Sequence, residues 1–95
     1  MSEYKIQHQE PENLFYVHLE DGQRAYLKYK HSGLESAVSQ VDFWSTFVPD
    51  SHRGKGLASK LVEAGFSWAE GQGLHMQASC WYARLKLDKR QAENK

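Results

Sequence analysis

From residue 4 to residue 30 apolar and polar positions alternate with a period of two. Tyr4, Ile6 and His8 form one set, Phe15, Val17 and Leu19 a second, and Ala25, Leu27 and Tyr29 a third. Such alternation predicts strands that bury one face. Pro11 interrupts the first run, and Asp21-Gly22 separates the second from the third. Both residues of an Asp-Gly pair tolerate the positive φ of a primed hairpin turn, so the segment reads as a β-meander. His31-Ser32-Gly33 reads as a turn. The β-branched and aromatic stretch from Ala37 to Val48, closed by Pro49, predicts a fourth strand longer than the others.

After Gly56 the period changes. On an ideal helix Leu57, Ala58, Leu61, Val62, Ala64, Gly65, Phe66, Trp68 and Ala69 share one apolar arc of roughly 200°. So wide an arc predicts a helix over 57–70 lying across a sheet, with Gly71 and Gly73 at its C-terminal end. Residues 74–78 predict a fifth strand, joined to the fourth by a right-handed crossover, and a short last helix starts near Cys80. The expected architecture is α+β: a mostly antiparallel sheet of about five strands in the order ββββαβα. The whole of 1–95 reads as one domain, with an ordered core over about 3–87 and a frayed polar tail over 88–95.

Composition narrows the function classes. Twelve basic and twelve acidic side chains give a formal charge of zero, so nothing draws the chain as a whole to nucleic acid or an acidic membrane. An RNA-binding module is further disfavoured because no run of Arg and Lys interleaved with aromatics stands out in the sequence. A lone cysteine, Cys80, forms no internal disulfide, and no apolar run reaches the length of a spanning helix. A cytoplasmic monomer or weak homodimer is the expectation. The five histidines, His8, His18, His31, His52 and His75, show no metal-ligand spacing, so no metal is expected.

Candidate chemistry concentrates between the fourth strand and the helix, in Ser51-His52-Arg53-Gly54-Lys55-Gly56-Leu57-Ala58-Ser59. A helix N-terminus presents unpaired N–H groups and a partial positive charge, and glycines let the backbone approach an anion closely. Two glycines also make an ordinary tight turn, so both readings stand at this level. A Walker loop would need glycine at Pro49 and Ser or Thr at Gly56, and a dinucleotide fingerprint would need glycine at Ser59.

The segment resembles motif A of the GNAT N-acetyltransferase superfamily, Gln/Arg-x-x-Gly-x-Gly/Ala, with Arg53, Gly56 and Ala58 at the matching positions. Thr46-Phe47-Val48-Pro49 resembles the strand ending that precedes that motif, and Leu61 and Val62 the apolar helix that follows. The similarity spans about 41–82 and is greatest to a short, single-domain branch. It implies binding of acetyl-CoA, with Phe47 and Val48 along the pantetheine arm. The loop amides of Arg53, Gly54, Lys55, Gly56, Leu57 and Ala58 would hold the pyrophosphate, with the Arg53 and Lys55 side chains near the phosphates and Ser59 as a hydroxyl donor.

The resemblance departs at the catalytic end. Many full-length members carry an Asn and a downstream Tyr after the fifth strand, where this chain reads Ser79-Cys80-Trp81-Tyr82. Tyr82 is the candidate acid for a departing CoA thiolate. Cys80 is either an inert buried thiol or, at a helix N-terminus, a thiolate near the acyl group. No general base stands out, since Glu35, Asp42 and His75 read first as ordinary exposed polar residues. Where larger members insert helices between the first two strands, only Pro11–Asn13 stands here. An open acceptor side follows, suited to an amine on a protein or a polyamine. The resemblance thus implies an N-acetyltransferase, and the missing base leaves a non-catalytic acyl-CoA sensor or interaction module as the alternative.

Overall fold

Alternation over 14–29 sends Phe15, Val17, Ala25, Leu27 and Tyr29 to one side of a sheet, where all are buried. The computed structural model, which describes residues 5–20, 22–32 and 39–93 of the 95, forms five strands in sequence order across the sheet. β1 (Gln7–Gln9), β2 (Leu14–His18), β3 (Arg24–Ser32) and β4 (Gln40–Phe47) pair antiparallel, and β5 (His75–Ala78) lies parallel to β4. The helix α1 (Leu57–Gly71) makes the crossover, and α2 (Trp81–Glu93) ends the described chain. This is the expected α+β order, with two short 3-10 turns added at Glu10–Glu12 and Asp50–His52.

Several expectations change. His31 and Ser32 are strand, not turn: they pair with Val41 and Gln40, and the His31 ring packs edge-on to Trp68 at 5.8 Å. β3 is consequently the longest strand, nine residues against eight for β4. Gly22 has φ +82° and sits in a turn closed by Leu19 N–H to Gln23 O at 2.9 Å. Tyr4, Asp21, Gly33, Glu35 and Ala37 lie outside the described residues.

The polar tail expected from residue 88 is instead helix as far as Glu93. Ala83 and Leu87 bury one α2 face in the main core. Arg90 then bonds Glu63 at 2.7 Å and Glu70 at 2.8 Å on α1 while lying 5.7 Å over the Phe66 ring. Its long apolar stem buries while its head keeps polar partners, so a segment of low hydropathy still docks.

Both helices pack on one face of the sheet, sharing a core of Leu27, Val41, Phe43, Leu57, Leu61, Val62, Phe66 and Leu87. Gly65 sets the distance of α1 from the sheet. A Cβ there would stand 2.8 Å from Leu27 Cδ2 and 2.9 Å from Phe43 Cε1, closer than carbon atoms pack. Overpacking costs about 1–3 kcal/mol, against a helix-propensity gain of about 1 kcal/mol for Gly→Ala. Gly65→Ala is therefore expected to lower Tm by several degrees, read by thermal melting, and an unchanged or raised Tm contradicts the close approach.

Beyond that core, the His8 ring stacks on Phe15 at 4.0 Å, and its Nε2 lies 2.6 Å from Tyr29 Oη. Burial pushes the Tyr29 phenol up to about 12, so Tyr29 donates and neutral His8 accepts. Burial and the nearby His31 hold the His8 pKa below its ordinary value, against the pull of Glu10. A depressed folded pKa means that the unfolded chain takes up the proton first. Stability should fall as pH drops below about 6.5, and in His8→Phe melting temperatures over pH 5–7 should show a shallower fall.

Candidate active site

β4 outlasts its parallel neighbour, and this opens the site. Pairing with β5 runs only from Gln40↔His75 to Phe43↔Ala78, then Cys80 N–H bonds Phe43 O at 3.1 Å and the chain turns into α2. From Trp44 onward the β5-facing edge of β4 has no strand beside it among the described residues. Trp44 is also an extra residue in β4: Lys28 pairs with Ser45 and Tyr29 with Phe43, a β-bulge. Bulges bend a strand and reset which side chains face which side. Beyond it Thr46, opposite buried Leu27, faces the helices, and Phe47, opposite Tyr26, faces away.

Between the divergent strand ends and the start of α1 lies a cleft of about 240 Å³, lined by Val48, His52, Arg53, Gly54, Gly56, Leu57, Ala58, Ser59 and Tyr82. Gly56 is the N-cap of α1 with φ +77°, and no side chain caps the helix. The first helical bond is Lys60 N–H to Gly56 O, so the N–H groups of Leu57, Ala58 and Ser59 precede the hydrogen-bonded turns. No acidic residue stands in the first turn. A Cβ on Gly54 or Gly56 would meet nothing within 4 Å, so both glycines border open space. This donor set fits a polyanion such as a pyrophosphate.

The loop residues named from the sequence thus share one cleft with Val48 and Tyr82, with three qualifications. Leu57 is 1% exposed, so it offers only its backbone. Phe47 does not enter the cleft with its ring, which packs on Tyr26 at 5.3 Å on the far face, and only its main chain lies along the open edge. Lys55 is exposed and absent from the cleft wall. Arg53 reaches back, Nε donating to Val48 O at 3.2 Å and Nη1 pairing with Asp50 at 2.8 Å, which ties the end of β4 to the loop.

Cys80 stands just before α2, its Sγ 3.4 Å from Thr46 Oγ1 at the fork where β4 and β5 part. Burial raises its pKa, but hydrogen bonds from the Thr46 side chain and from the backbone of Ala83, Tyr82 and Thr46 outweigh that, leaving the thiol below its ordinary value. Asp42 is not placed as a base: its carboxylate accepts from Ser79 N–H at 2.8 Å and Ser79 Oγ–H at 2.7 Å, holding the fork closed below Cys80. His75 is exposed at the far end of β5.

Sequence reasoning missed two residues. Thr46 carries no signal without the bulge that turns it inward. His52 is 6% exposed, with Nδ1 2.9 Å from Ser51 Oγ and Nε2 3.7 Å from Glu20, and its place inside the glycine loop was the available clue. Among the described residues no group of His, Cys, Asp and Glu could hold a metal ion, and no helix is long and apolar enough to cross a membrane.

Residues 14–95 match the profile of the GCN5-related N-acetyl-transferase family. The protein NATD1 of Xenopus tropicalis is 32% identical over 82 residues, covering 85% of this chain and 72% of its own length. The human NATD1 is 32% identical over 79 residues, covering 82% and 66%. Among solved structures, a GCN5-like protein of Staphylococcus aureus superposes with a TM-score of 0.69 at 27% identity, over 99% of this chain and 87% of its own. An aminoglycoside acetyltransferase from a soil metagenome gives 0.54 at 20% identity, over 68% and 45%, a likeness of fold alone.

Proposed function

Because the chain belongs to the GCN5-related N-acetyltransferase family, we propose that its cleft binds acetyl-CoA and that it transfers the acetyl group to an amine. The observation that carries the reading is the convergence on one cleft of a helix N-terminus and a strand edge that have no cap and no neighbour among the described residues, together with Tyr82. In this reading the amides of Leu57 to Ser59 hold pyrophosphate, and the free edge of β4 near Val48 pairs with the amide-bearing arm. The thioester then lies toward Thr46 and Cys80. A neutral amine attacks the carbonyl carbon, the C–S bond breaks, and the sulfur leaves with a proton from Tyr82 while the amine loses its extra proton to solvent. The protein supplies proximity, a main-chain N–H toward the carbonyl oxygen, and that proton. A reducing, cytoplasmic setting is part of this reading, since the chain's one cysteine, Cys80, is a free thiol.

A binding-only role as an acyl-CoA sensor is the second reading, favoured by Asp42 being spent on Ser79 and by the absence of any carboxylate from the cleft wall among the described residues. Titrating acetyl-CoA by calorimetry and then following thiol release with and without amines separates the two. Amine-dependent release supports transfer, binding without release supports the sensor, and no binding overturns both.

The lowered thiol pKa gives Cys80 its own test. Incubation with acetyl-CoA is expected to leave an acetyl adduct visible by intact-mass spectrometry and absent from Cys80→Ala. An unmodified Cys80 together with full turnover in Cys80→Ala returns the residue to a packing role.

A further inference from the structure

The sheet face opposite the helices is not a plain solvated surface. Three outward residues of β3, Arg24, Lys28 and Lys30, each pack over an aromatic ring. Arg24 lies 5.1 Å from the Tyr16 centroid, Lys28 5.0 Å from Tyr26 and 5.6 Å from Trp44, and Lys30 5.0 Å from Trp44. Phe47 extends the set beside Tyr26. Trp44 and Phe47 are 40% and 41% exposed: alternation after buried Phe43 turns Trp44 outward, and the bulge in β4 brings Phe47 to the same face.

In a chain of zero net charge this face is locally cationic. None of the three cations makes an ion pair among the described residues, and against them stands Asp42 opposite Lys30, its carboxylate turned to the Ser79 N–H and hydroxyl. Arg24, Tyr26, Lys28 and Lys30 recur every second residue, so successive positions step by about 6.8 Å, comparable with the phosphate spacing of an extended single strand. Rings and cations alternate across β2, β3 and β4.

We infer that this face binds single-stranded polynucleotide, its phosphates drawn to Arg24, Lys28 and Lys30 and its bases stacked on the exposed rings of Trp44 and Phe47. The rings decide the partner. An acidic peptide would satisfy the cations but leave exposed aromatic surface with nothing planar to stack on, whereas every base has a π-face. The same charge makes the face a poor landing site for a polyamine. The inference does not rest on acetyl transfer, since none of these side chains lines the cleft.

The test uses the full chain and fluorescein-labelled oligo(dT) and oligo(U), titrated by anisotropy from about 20 to 200 mM salt. Three cations at about 0.7 each predict a slope of log K on log salt near −2. Trp44→Ala should weaken binding about tenfold at unchanged slope, and Trp44→Phe should restore most of it. The triple change Arg24→Gln, Lys28→Gln, Lys30→Gln should flatten the slope, with melting temperature confirming that the fold is intact. No binding at the lowest salt overturns the inference. So does an affinity indifferent to Trp44, or equal competition by polyglutamate or phosphatidylserine vesicles.

Discussion

Gly56→Glu is expected to abolish CoA binding while leaving a folded protein. At φ +77° a side chain at this position costs about 1–2 kcal/mol, a tolerable fraction of a small domain's stability. The new Cβ would clash with nothing, because no atom lies within 4 Å of it. The carboxylate would instead enter the open space before the Leu57, Ala58 and Ser59 amides and satisfy the helix terminus from within. It would thus stand where a pyrophosphate is proposed to sit, and repel it. Gly56→Ala pays the same backbone strain without the charge, so it should keep measurable affinity and separates strain from occlusion. Calorimetry with CoA, alongside circular dichroism and melting, reads all three proteins. Parental affinity in Gly56→Glu would remove the loop from the binding site.

That loop was legible because its signal is local: a strand closed by Pro49, two glycines, then an apolar arc, all contiguous in the chain. The register of the meander was legible for the same reason, since period two names the buried face directly. The start of the C-terminal helix near Cys80 was legible too, but its extension past Asp88 was not. Its buried side is only Ala83 and Leu87 on a face otherwise polar, and its anchorage through Arg90 to Glu63 and Glu70 is a tertiary fact. The spacing of Ala83, Leu87 and Arg90 at one per helical turn was the available clue. The aromatic and cationic face was missed for a geometric reason. Its members sit at every second position of three strands, so in the linear sequence they are diluted by the inward-facing core. A search for a stripe along the chain looks in the wrong direction for a stripe that runs across strands. The bulge at Trp44 is likewise invisible in pattern, yet it decides that Thr46 meets Cys80 and that Phe47 turns away from the cleft.

Tyr82→Phe is expected to lower kcat by about 10²–10⁴ while leaving CoA affinity within a few-fold of the parent. Tyr82 is the cleft-lining residue contributed by α2. The residue is half-buried, and its ring packs with Trp81 at 6.0 Å and under Lys86 at 5.7 Å. Phenylalanine preserves the ring and those contacts and deletes one oxygen. A loss confined to kcat is the signature of an interaction made in the transition state alone, whereas a packing defect would raise KM for acetyl-CoA and lower Tm together. Cys80 is the neighbouring alternative as proton donor, at the fork rather than on the cleft wall. If Cys80→Ala carries the kcat loss and Tyr82→Phe does not, the proton comes from the fork. If Tyr82→Phe turns over like the parent, and Cys80→Ala does too, the leaving thiolate takes its proton from solvent and neither side chain is catalytic.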